Sequence, residues 1–150
     1  LVQWAVVGAY VLAIFLFSRH DVSGAGYTAQ LLARWFPHLK GAELRYYVLV
    51  VRKVGHVLAY GLLTFLVYQA ARRTEKLRGR ALLISVLSAL AVAAADESYQ
   101  RRLMHRSGVW NDVLIDFLGI AAVGMGLWLR ARFRSKDKEV SEADGENEHI

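Results

Sequence analysis

Four stretches of this chain stay apolar for about the thickness of a bilayer, and that leaves few folds open to it. A helix needs about 20 mostly apolar residues to cross the hydrocarbon core, and roughly 17 suffice. The stretches are Leu1 to Phe17; Val54 to Ala71, extended backwards through Tyr47 to Val51; Ala81 to Ala95; and Val113 to Leu129. The third is short and rich in Ala and Ser, and the fourth is interrupted by Asp116. Backbone polar groups in lipid must be satisfied within the segment, so helices are expected. The short alternating segments of a β-barrel do not occur. Small residues in the third stretch, and Gly119, Gly124 and Gly126 in the fourth, suit close helix packing in lipid. The expectation is an all-α polytopic membrane protein, a four-transmembrane-helix bundle whose membrane domain covers residues 1–130. The first stretch lacks a basic leader, and Ser23 to Gly26 makes a weak cleavage site, so it reads as a retained helix and not a secretory signal.

Composition narrows the chemistry. Cysteine is absent, which excludes disulfides, thiolate nucleophiles and Cys-ligated metals. The net charge of +6 has no nucleic-acid recognition motif beside it, and its Lys and Arg flank apolar runs as in membrane proteins. No nucleic-acid partner is expected; the expected partners are membrane lipids. Orientation follows from the basic segments. The loop Arg72 to Arg80 reads RRTEKLRGR, five basic residues against one acid, and the sequence after Leu129 opens RARFRSKDK. With four spans both lie on one side, expected to be cytoplasmic together with both termini. Residues 131–150 read as a charged tail without a core pattern, expected to be disordered. In the first outer loop, Leu31, Leu32, Trp35, Phe36 and Leu39 recur at helical spacing, which predicts an interfacial helix over Tyr27 to Leu39, ended or kinked by Pro37.

That topology gathers polar residues at the outer end. Helix two begins there with Arg52, Lys53 and His56; helix three runs into Asp96, Glu97 and Gln100; helix four begins with Asp112 and Asp116, with Arg106 in the loop before it. Residues three or four apart share a helix face. Lys53 and His56, His56 and Tyr60, Asp96 and Gln100, Glu97 and Gln100, and Asp112 and Asp116 are all so spaced, so each helix can aim a polar stripe at one spot. An ionisable group in hydrocarbon costs about 2.5–3.5 kcal/mol or more and therefore needs a partner. For Asp116, one turn inside helix four, that partner is Lys53, Arg106 or His56.

Plainer readings exist. Asp112 suits a helix N-terminus through the dipole, whereas Asp96 and Glu97 at the end of helix three would oppose it. His56 also fits a hydrogen-bonded interior histidine, and Gln100 an interfacial residue. Trp4, Trp35, Trp110 and Trp128 fit an interfacial belt.

Three blocks resemble the VanZ-like family. RKVGHVLAYGLLTFL, Arg52 to Leu66, resembles its basic pair followed by a helix-borne His and Tyr. DESYQ, Asp96 to Gln100, resembles its acidic pair and Gln. RSGVWNDVLIDFLG, Arg106 to Gly119, resembles its Arg, two Asp residues and Gly. Ala59 stands where members often carry Glu, and Met104 and His105 where they often carry Pro-Gly. The resemblance implies a membrane protein associated with the cell envelope and with resistance to the glycopeptide teicoplanin. A wider likeness to membrane enzymes that handle lipid head groups is analogy, and fold does not establish function.

Two functions follow as expectations. One is a membrane enzyme, a lipid head-group transferase or hydrolase, acting on a phosphate-linked head group or a lipid-linked precursor. In it Lys53 and Arg106 hold phosphate oxygens, His56, Asp96 or Glu97 moves a proton, and Tyr60 and Gln100 line the substrate. Asp112 and Asp116 orient the donors or, with Glu97, bind a divalent cation. The other is a non-enzymatic protein that binds or shields an envelope precursor or a glycopeptide with the same residues. An ion pathway would need polar residues through the full depth, which helices one and three lack.

Overall fold

The structure, a computed structural model, describes the backbone of residues 1–17, 25–104 and 110–147 and the side chains of 1–17, 26–99 and 114–133. Among the described residues the chain is helical: α1 Val2–Phe17, α2 Ala25–Trp35, α3 Gly41–Arg72, a 3-10 segment Glu75–Arg80, α4 Ala81–Met104 and α5 Trp110–Asn147. Three helices are long and apolar enough to cross a membrane, over Gly41–Arg72, Glu75–Tyr99 and Leu114–Phe133. The expected first span is a shorter apolar helix. Its 16 residues reach only about 24 Å, less than the ~30 Å of hydrocarbon.

Three helices run further than the sequence predicts. α3 starts at Gly41, earlier even than the Tyr47 to which the second stretch extends, because ELRYYVLVV contains neither Pro nor Gly to stop it. Gly41 takes φ +56, a left-handed conformation that admits glycine readily and turns the chain out of the α2 connection. α4 continues past Ala95 to Met104, since Glu, Gln, Arg, Leu and Met are good helix formers. Asp96 and Glu97 therefore lie inside a helix, and the dipole conflict expected of a helix end disappears. α5 continues past Leu129 to Asn147, through the stretch expected to be disordered, which is rich in Arg, Lys, Glu and Ala. The segment expected to lie in the interface forms α2, which stops before Pro37 and packs on α3. Leu39 is buried while Leu31, Trp35 and Phe36 stay exposed.

α3 is the hub and packs against every other helix. Its buried face is Tyr60, Leu63, Thr64, Val67, Ala70 and Ala71, the three-and-four spacing of one helix side. α4 answers with Ala81, Ser85, Ala89, Ala93 and Glu97, all buried and each four residues on, and Asp96 beside them. α5 presents Asp116, Gly119, Ile120 and Gly124. Lipid tails are as apolar as Leu, so contact between such helices comes from close approach of small residues. A Cβ at Gly119 would run into the Val57 carbonyl, and one at Gly61 would lie 3.2 Å from Val123 Cγ2. Buried hydroxyls satisfy themselves locally: Thr64 Oγ1 donates to the Tyr60 carbonyl at 2.8 Å and Ser85 Oγ to that of Leu82 at 2.7 Å.

α1 lies alongside α3, with Val7 and Ile14 buried and the Tyr10 hydroxyl donating to the Ala59 carbonyl at 3.1 Å. Its start meets the basic turn, where Trp4 Nε1 donates to Thr74 Oγ1 at 3.1 Å. Its far end meets the polar end, where the Phe15 and Tyr99 rings sit edge to face at 6.2 Å.

Candidate functional site

The polar site is assembled by α3. His56 and Tyr60, four residues apart, share a face and stack their rings at 6.2 Å with 27° between planes. Each reaches a different neighbour. His56 Nδ1 lies 3.0 Å from Asp116 Oδ1 on α5, and the Tyr60 hydroxyl donates to Asp96 Oδ2 on α4 at 3.0 Å. Two side-chain bonds thus tie three helices together at one level. Helical rise puts His56 about 24 Å from Arg72, Asp96 about 24 Å from Arg80 and Asp116 about 21 Å from Arg130.

Burial separates the roles. Tyr60 and Asp96 are each 1% exposed, Asp116 3% and Glu97 6%. The His56 side chain keeps 30% of its surface accessible. A carboxylate only accepts, so the shared hydrogen sits on Nδ1 and the second ring nitrogen, Nε2, faces the remaining chemistry. Among the described residues Nε2 has no hydrogen-bond partner. Asp96 and Arg52 both act electrostatically on His56, and Glu97 acts on Tyr60. This arrangement holds a part-exposed imidazole by its Nδ1 edge.

Of the residues the sequence nominates, the structure brings His56, Tyr60, Asp96, Glu97 and Asp116 together. Asp116 finds its partner in His56, one of the three candidates. Lys53, seven residues before Tyr60 and so on its face, is exposed. Gln100 lies on α4 and Asp112 in the first turn of α5, but their side chains, like all of Arg106, lie outside the described residues. The cation set is incomplete without Arg52, which is half-buried and sits four residues before His56. The spacing Arg52, His56, Tyr60 was the available signal. Among the described residues no group of three or more His, Asp or Glu is arranged to hold a metal ion. The divalent-cation reading needs Asp112, beyond them.

No curated protein and no solved structure matches the chain. A family model does: the one described as VanZ/LLP1 matches residues 4–132, from the start of α1 through every element that builds the site, and the chain therefore belongs to the VanZ/LLP1 family.

Proposed function

We propose that this VanZ-like protein is a multi-pass membrane protein of four spans that acts on phosphate-linked lipid head groups, or on lipid-linked envelope precursors, at the end of the bundle opposite the Arg72 to Arg80 turn. The observation that carries this is the imidazole of His56, held by Asp116 at 3.0 Å beside two cations on the same helix. Arg52, Lys53 and, in the loop before α5, Arg106 supply charge for phosphate oxygens. His56 Nε2 takes the proton from a water or alcohol that attacks phosphorus. The bond from phosphorus to the leaving lipid oxygen then breaks, and the proton passes to that oxygen. Asp116 fixes the ring and stabilises its charged form. Asp96 is engaged by Tyr60 and serves through it, holding the ring against which His56 stacks. Glu97 on α4 and Asp112 on α5 are the remaining acids that the sequence nominates for proton transfer. In the cell the site faces outward and both termini are cytoplasmic, because the basic segments mark the inner side.

The test is turnover of radiolabelled lipid by purified protein in vesicles. General acid–base roles contribute about 10²–10⁴-fold, so His56→Gln is expected to lose turnover on that scale and Asp116→Asn about tenfold or more. Equal turnover by wild type, His56→Gln and Asp116→Asn removes the enzyme. A binding or shielding protein, for an envelope precursor or a glycopeptide, is the second reading. It is favoured by the mutual engagement of Tyr60 with Asp96 and His56 with Asp116, which suits recognition as well as reaction. It predicts stoichiometric retention of the lipid with no new product.

A further inference from the structure

The other end of the bundle carries a second constellation, remote from His56 and unused by the reading above. Arg72 at the end of α3, Arg73, Lys76, Arg78 and Arg80 in the turn after it, and Arg130 and Arg132 on α5, are all exposed; Glu75 is the one acid in that turn. The fold brings the two groups to one level. Gly124 on α5 packs against Val86 on α4, where an added Cβ would sit 3.4 Å from Val86 Cγ2. α4 and α5 run in opposite directions, so Arg80 and Arg130, each six residues from that contact, lie about 9 Å beyond it at the same end.

The turn is built and not merely charged. Thr74 Oγ1 donates to the Ala70 carbonyl at 3.0 Å, and Trp4 donates to Thr74. Arg78 Nε donates to the Arg72 carbonyl at 3.3 Å, closing the C-terminus of α3. That bond uses one of five guanidinium donors and leaves the terminal fork for two oxygens of an anion such as a phosphate. Two more guanidiniums rest on rings, Arg72 over Tyr68 at 5.6 Å and Arg132 over Trp128 at 5.4 Å. Trp4, Tyr68 and Trp128 thus form an aromatic band with the arginines, the pairing found where a helix crosses from hydrocarbon to head groups.

We propose that this end is a binding site for acidic phospholipids, whose phosphates are held by Arg73, Arg78 and Arg80 from the turn between α3 and α4 and by Arg130 from α5. The partner is a lipid and not a soluble phosphate, because the aromatic band sets the cations at the depth of the phosphate plane and leaves exposed apolar side chains, Trp128 and Leu129 on the hydrocarbon side of Arg130, for acyl chains. The site needs no activity at His56.

The test uses the full chain in a neutral detergent with phosphatidylglycerol and phosphatidylcholine in equal amounts, and counts retained lipids by native mass spectrometry. Wild type is expected to retain phosphatidylglycerol at least about tenfold over phosphatidylcholine. Replacing Arg73, Arg78, Arg80 and Arg130 by Gln is expected to abolish that preference, since each basic residue near an anionic surface adds a several-fold gain. Lys40→Gln with Arg45→Gln, at the opposite end, leaves it unchanged. Should the fourfold variant fail to fold, a salt titration of wild type decides: the preference collapses between roughly 0.05 and 0.5 M salt if charge carries it. Equal retention of both lipids, a preference untouched by the four substitutions or by salt, or displacement of the lipid by millimolar inorganic phosphate overturns the proposal.

Discussion

At the scale of single residues, the bond from Tyr60 to Asp96 is the most consequential in the core. Both groups are buried, so removing the hydroxyl leaves a carboxylate short of a donor, which costs about 1–3 kcal/mol. Tyr60→Phe is expected to destabilise the protein by that amount in reversible unfolding from mixed micelles. Thr64→Val, whose hydroxyl serves only its own helix, is expected to cost less than about 1 kcal/mol. A double-mutant cycle on His56→Ala and Asp116→Ala should give a coupling of about 1–3 kcal/mol. Additive effects would mean that the 3.0 Å contact holds no energy. The pairing of Asp116 was legible in outline. The cost of a carboxylate in hydrocarbon demanded a partner and the sequence supplied three candidates, but finding His56 against Asp116, with Lys53 left exposed, needed the rotation of α3 against α5.

At the scale of elements, α3 and α5 meet closely at two glycines, Gly61 and Gly119. Gly119→Ala drives a methyl into the Val57 carbonyl, and backbone cannot move aside as a flexible side chain can. A loss of about 2 kcal/mol or more is expected, with activity or lipid retention falling as His56 and Asp116 separate. Gly126→Ala on the same helix meets open space within 4 Å and is expected to be neutral or to stabilise by up to about 1 kcal/mol, since Ala is the better helix former. Paired unfolding curves for the two variants check this, and equal midpoints would mean that the two helices do not pack closely. Helix existence was readable from apolar length, whereas helix ends were not. A hydropathy window closes at the first cluster of charges, yet charged residues such as Glu97, Arg101 and Arg102 are good helix formers, so α4 runs through them.

At the scale of the whole molecule, two polar levels lie about 21–24 Å apart along each of three helices, less than the ~30 Å of an ordinary hydrocarbon core. The His56 site therefore sits about 6–9 Å, little more than one helical turn, beneath one surface, or the bilayer thins around it. Mismatch costs fractions of a kcal/mol per Å. The protein is expected to be more stable, by about 1–3 kcal/mol, in phosphatidylcholine vesicles with fourteen-carbon chains than in those with twenty-two-carbon chains. The opposite order would mean that the arginines do not mark a boundary. The sequence by itself determined that the chain is helical, membrane-crossing and polar at one end, because apolar length and the cost of unpaired charge are local properties that no packing can reverse. Only the tertiary structure decided that α3 is the hub, that His56 leans on Asp116 while Tyr60 holds Asp96, and that Arg52 joins them, because those facts depend on the relative rotation and rise of neighbouring helices, set by where a glycine lets two backbones meet.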